Sequence, residues 1–133
     1  MPPELEIVRE WLTKAANDLE AARRLNEGSD PLCGLACFLC QQAVEKSLKA
    51  FLEFHQTRAP RTHALAELLD FAERIDRQFE SLRGCQWLTP YAVAPRYPGS
   101  GPAATQEKSH QAMTVATETF NFVLERLPPE VRP

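Results

Sequence analysis

The chain has 133 residues, of which 44% are hydrophobic and 25% charged, and at this size folding buries about two-thirds of the unfolded surface, enough for one ordinary core. Mean hydropathy is −0.36, and no run approaches the roughly 18 uninterrupted apolar residues of a membrane span, so a disordered chain and a membrane-spanning one are both excluded. A formal charge of −3 argues against a protein that coats duplex nucleic acid by bulk electrostatics.

Charge is uneven along the chain: residues 1–45 sum to −4, residues 46–96 to +2 and residues 97–133 to −1. The positive field therefore sits in the middle. The Met-Pro-Pro-Glu start has no basic stretch followed by an apolar one, which reads as cytoplasmic. Cys33, Cys37 and Cys40 crowd into one segment, so free thiols are expected rather than disulfides.

From Glu4 to Glu27, Leu5, Val8, Leu12, Ala15, Leu19, Ala22 and Leu25 recur at the three- and four-residue steps of one helical face. This predicts a long amphipathic helix, stopped at Gly28 by a left-handed residue. Ser29-Asp30-Pro31 reads as the next start, with Asp30 accepting from free amides and Pro31 at the first helical position. The second helix runs to about Phe54. Its Cys33, Cys37, Cys40, Val44 and Phe51 share one arc, with Leu32, Ala36, Leu39, Ala43 and Ala50 beside it. Only Gln41, Gln42, Glu45, Lys46 and Lys49 leave a narrow polar strip, so this is the expected central helix, its strip facing solvent or a second copy.

Thr62 is the expected N-cap of a shorter helix with Leu65, Leu68, Leu69 and Ala72 inward. The pattern breaks near Asp76, and a short piece from Phe79 to Leu88 is expected to end around Gly84 or shortly after. Thr89 to Ala104 holds four of the eleven prolines and two of the five glycines, which predicts a loop. Helical spacing returns from Thr105 to Leu127 through Ala112, Val115, Ala116, Phe120 and Val123, and Pro128-Pro129 closes it. With no strand-like alternation, the expected architecture is a single all-α domain over 1–133, an up-and-down bundle of four to five helices with a core at about 4–127, a loop at 89–104 and a tail at 128–133.

The stretches Ala16-Asn17-Asp18-Leu19-Glu20-Ala21-Ala22, Cys37 through Ala50, Thr62-His63-Ala64-Leu65, Tyr91 and Arg96-Tyr97-Pro98 together resemble the HEPN (higher eukaryotes and prokaryotes nucleotide-binding) family over about residues 6–127. That resemblance implies a helical bundle like the substrate-binding domains of nucleotidyltransferases, frequently a homodimer. It also implies a prokaryotic toxin–antitoxin-like system in which a minimal nucleotidyltransferase is the separately encoded partner. Many members are metal-independent endoribonucleases with Arg-x(4–6)-His on the last helices. Here the next histidine after Arg96 is His110, fourteen residues on. The departure leaves the catalytic residues unknown and favours a binding role over an enzyme.

Several candidates carry chemistry. Arg96, Tyr97 and Tyr91, with Lys46 and Lys49 opposite, are the expected contacts for a nucleotide or RNA phosphate, because a guanidinium fork and a phenol suit phosphate and purine. The competing reading has Arg96 anchoring its loop to helix-end carbonyls or to Glu45. Arg58 and His63 satisfy Arg-x4-His, yet they lie between the second and third helices with Pro60 between them, so His63 reads first as a bridge between helices. The Cys33, Cys37 and Cys40 stripe reads as small buried hydrophobes, since one rigid helix rarely closes a tetrahedral site, and neither a metal nor another cofactor is expected. Trp11, Trp87, Phe120 and Phe122 read as core or interface aromatics. The functional alternatives are thus a helical partner protein, an endoribonuclease and a dimerisation scaffold without a ligand site.

Overall fold

A computed structural model describes residues 1–93, 97–99 and 101–133. Among them the order is α1 (Pro3–Leu25), α2 (Cys33–Phe54), α3 (Leu65–Ile75), a 3-10 helical segment (Arg77–Ala92), α4 (Gln106–Glu125) and a short 3-10 turn (Pro129–Val131). No strand occurs among the described residues, and the architecture is the all-α bundle expected.

The centre is α2, which packs chiefly on α1, then on α4, and also on the 3-10 segment and α3. More than half of its residues are buried, including Cys37, Cys40, Val44, Leu48 and Phe51. On α1, the predicted Val8, Leu12, Ala15 and Ala22 are the buried positions. Leu65, Leu68, Leu69 and Ala72 of α3 are likewise all buried. Burying each such leucine or phenylalanine contributes about 1.5–3 kcal/mol. Leu32 departs from the expectation, because it precedes α2 and is 51% exposed.

Local starts and stops differ from the sequence reading in instructive ways. Asp30 caps nothing; α2 begins after Leu32, whose amide donates to the Leu25 carbonyl at 2.9 Å and whose carbonyl receives the Ala36 amide at 3.0 Å. A backbone tie to the end of α1 thus replaces the side-chain cap. Gly28 does take a left-handed φ of 87°, but α1 has already ended at Leu25. Thr62 is not the N-cap of α3. Its hydroxyl accepts from the Ala64 amide at 3.0 Å, and the Leu65 amide is met from far along the chain by Thr89 Oγ1 at 3.2 Å.

The break at Asp76 is real, and its carboxylate caps the next segment by accepting from the Gln78 amide at 2.9 Å. That segment does not stop at Gly84 but continues through Pro90 to Ala92, so the first part of the expected 89–104 loop is helical. Phe79, Leu82, Cys85, Leu88 and Tyr91 fall every third residue, the period of a 3-10 helix, whose i and i+3 side chains eclipse. Phe79, Cys85, Leu88 and Tyr91 are buried and Leu82 packs partly on the core. Phe79 anchors the segment, its ring 4.3 Å from Phe51 and 5.0 Å from Phe122, centroid to centroid. Thr105 then caps α4, accepting from the Lys108 amide at 3.1 Å.

Candidate functional site

The polar strip of α2 lies inside the bundle. Gln41 is fully buried and Glu45 is 5% exposed, so the strip faces α1 and the connection into α3 rather than solvent or a second copy. Residues four apart on a helix share a face, and here Gln41, Glu45 and Lys49 form one continuous row.

Glu45 is the hub of that row. Oε1 accepts from Gln41 Nε2 at 3.2 Å and lies 2.8 Å from His63 Nδ1, while Oε2 accepts from Lys49 Nζ at 2.9 Å. Gln41 Nε2 also donates to the His63 carbonyl at 3.2 Å, and Gln42 Nε2 donates to Gln41 Oε1 at 2.7 Å. Burial pushes the Glu45 carboxyl up, but the donors His63, Lys49 and Gln41 outweigh it and hold the group below its ordinary value. The Glu45 side chain is 6% exposed, whereas His63 is 61% exposed. A buried carboxylate thus holds one ring nitrogen of a histidine whose other edge meets water.

Lys46 points the other way, to α1, and pairs with Asp18 at 2.6 Å, with both side chains largely buried. Burial raises the Asp18 carboxyl even with this ammonium beside it. Lys49 also lies over the Trp11 ring, 5.7 Å from its centroid. The two lysines offered by the sequence as one wall of a groove are therefore each matched to a carboxylate of their own chain. Asp18 is the partner that sequence reasoning passed over, whereas Glu45, offered as an anchor for Arg96, serves Lys49.

Tyr91 is 2% exposed and its hydroxyl donates to the Ala103 carbonyl at 2.9 Å, tying the 3-10 segment to the chain before α4. Tyr97 is 57% exposed. Arg96 lies outside the described residues. His63 bridges α2 and the start of α3, the simpler of the two roles that the sequence offers it. Arg58 and Arg61 occur on the same connection, both exposed.

The thiols are packing groups. Burial is the first cause that pushes Cys37 up to about 11, Cys40 up to about 12 and Cys85 up to about 11, and Cys40 Sγ sits 3.5 Å from Met113 Sδ. Among the described residues no group of three or more His, Cys, Asp or Glu side chains is placed to hold a metal ion. Likewise, none of their helices is long and apolar enough to cross a membrane. Trp87 faces Tyr91 edge-on at 6.1 Å with Lys108 above it at 5.2 Å, and Phe120 is 9% exposed.

A family model described as HEPN domain matches residues 8–127. Among solved structures, the chain is similar to TT1696 from Thermus thermophilus, with 32% identity, a TM-score of 0.76, and coverage of 90% of this chain and 98% of that one. It is also similar to ST0689, an archaeal HEPN homologue, at 27% identity and a TM-score of 0.72, covering 90% and 96% of the two chains. No curated protein matches.

Proposed function

The chain belongs to the HEPN domain family, and from that premise we propose that it is a binding protein: the helical partner of a separately encoded minimal nucleotidyltransferase in a prokaryotic toxin–antitoxin-like pair, acting in the cytoplasm as a homodimer. One observation carries the reading. Around the start of α2 and just past the 3-10 segment, Leu32, Leu35, Val93 and Tyr97 are 43–57% exposed. Leu32 and Leu35, three residues apart at the start of α2, leave apolar surface there for a protein partner to cover. The cations of α2, by contrast, are matched within the chain, so a nucleotide or RNA phosphate would engage Arg96 and Tyr97 rather than Lys46, Lys49 or Tyr91. Co-expression with the nucleotidyltransferase encoded beside it should give one co-eluting complex, weakened in a Leu32→Asp, Leu35→Asp variant. No co-elution for the wild-type chain would put the scaffold ahead of the partner reading, its dimer being read by sedimentation.

A second reading, metal-independent ribonuclease, is favoured by the carboxylate that orients His63, with Arg58 five residues before it. Incubation with RNA in EDTA, beside Arg58→Ala and His63→Ala, tests it. Absence of cleavage, or cleavage unchanged in both variants, removes it.

A further inference from the structure

The tautomer of His63 follows from its partner. Glu45 accepts from Lys49 on one oxygen and from Gln41 on the other, so it serves as an ionised acceptor, and the ring nitrogen 2.8 Å from Oε1 must carry the proton. Nδ1–H donates inward, and Nε2 keeps its lone pair on the exposed side of a ring that is 61% exposed. A carboxylate on one imidazole nitrogen raises the electron density at the other and is set against any positive charge the ring acquires. The connection that carries this ring also carries Arg58 and Arg61, neither of them buried. No carboxylate pairs with either among the described residues, unlike Arg23, Arg24, Arg83 and Arg126.

An oriented nucleophilic nitrogen on a connection that also carries two exposed, unpaired guanidinium groups suits one chemical class of electrophile, a phosphoryl group. We propose that His63 Nε2 is a phosphoryl acceptor, taking the group from a small activated donor such as an acyl phosphate or a phosphoramidate. The Nε2 lone pair forms the new N–P bond while the bond from phosphorus to the donor's leaving group breaks, and the leaving group departs with that electron pair. For an acyl phosphate the leaving group is a carboxylate; for a phosphoramidate it is an amine that takes its proton from water. Nδ1 keeps its proton throughout. The ring gains one positive charge, which faces Glu45, and the phosphoryl oxygens meet Arg58 and Arg61, whose planar forks suit them.

The molecule supplies its own controls. His55 is also exposed but packs its ring on Phe51 and Phe54 at 4.6 and 5.1 Å, and His110 is exposed on α4; neither ring has a carboxylate partner in the described residues. The full chain is incubated with potassium phosphoramidate and followed by 31P NMR, with the acid-labile label placed by mass spectrometry under alkaline handling. The expected result is a single label on His63, formed at least about tenfold faster than on His55 or His110, the factor that one charge-assisted hydrogen bond supports. Glu45→Gln should bring the His63 rate down to that of the other two. Should that variant lose its native fold, the surface double variant Arg58→Ala, Arg61→Ala serves instead, and slower labelling of His63 is expected there. Equal labelling of the three histidines, or a His63 rate unmoved in a folded Glu45→Gln or in the double arginine variant, overturns the proposal. The outcome is independent of the co-elution and RNA assays, so failure of one is separable from failure of the other.

Discussion

Replacing Glu45 with glutamine removes one negative charge from the hub of the α2 row and keeps its size. Breaking a buried pair from one side costs about 3–5 kcal/mol, because the abandoned charge stays desolvated. Two features reduce that here. The amide keeps one carbonyl oxygen for a donor, and Lys49, 16% exposed, can turn its ammonium toward water. The expected loss is therefore about 2–3 kcal/mol, which at a urea slope of about 1.5 kcal/mol/M moves the midpoint down by about 1.3–2 M. The pH dependence gives a sharper signature. Because the folded pKa of Glu45 lies below its unfolded value, its stabilisation is fully present above the unfolded pKa, near 4.5, and is lost as pH falls through the depressed folded value. Urea titrations of both proteins should give a gap that is constant from pH 7 to about 5.5 and closes below about 4.5. A gap under about 0.5 kcal/mol at pH 7, or one equally wide after Glu45 is protonated, would refute the hub.

Three further outcomes follow from the same geometry. Lys46→Ala strands the buried Asp18 carboxylate and should cost about 3 kcal/mol at pH 7; since burial already raises that carboxyl, the variant's melting temperature should fall as pH rises from about 4.5 to about 7.5, more steeply than that of the wild type. With Cys37, Cys40 and Cys85 buried and their thiols pushed up to about 11, 12 and 11, only the half-buried Cys33 should react promptly with Ellman's reagent at about pH 8, the others on addition of urea. Phe79→Ala removes the ring wedged between Phe51 and Phe122 and should cost about 3–5 kcal/mol in urea unfolding with an unchanged slope.

The four α-helices were legible because a buried face imposes its period on the apolar residues, and Val8 to Ala22 or Leu65 to Ala72 carry that period without interruption. The 3-10 segment was legible too, but in a different period: Phe79 to Tyr91 repeats every third residue, and a search for 3.6 sees only a broken helix with Gly84 and Pro90 in it. Asp30 and Thr62 had the right chemistry for caps in the wrong place. The starts of α2 and α3 are fixed by Leu25 and Thr89, and a cap supplied from 24 residues away leaves no local signature. The polar strip was visible as residue types, yet its direction was not. Whether Lys46 meets solvent or Asp18 depends on how α1 is rotated against α2, which neither helix states alone.

An inward polar strip also constrains what the molecule can bind. Apolar contacts between α1 and α2 tolerate sliding, since one leucine packs much like the next; the Lys46–Asp18 pair and the Glu45–His63 contact do not, so they hold α1 and the 55–64 connection to one register. A ligand recruiting Lys46 or Lys49 would have to break a pair with a partner that is itself largely buried, at the cost of leaving a carboxylate desolvated. Cations already matched inside the fold are thus poor bait for a phosphate. Arg58, Arg61 and the outer edge of His63 carry no such penalty, because no carboxylate is left stranded when they turn to a ligand, and Glu45 holds the ring in place from below. The proposed phosphoryl site therefore lies on the connection between α2 and α3, and the proposed protein contact at the other end of α2, around Leu32 and Leu35.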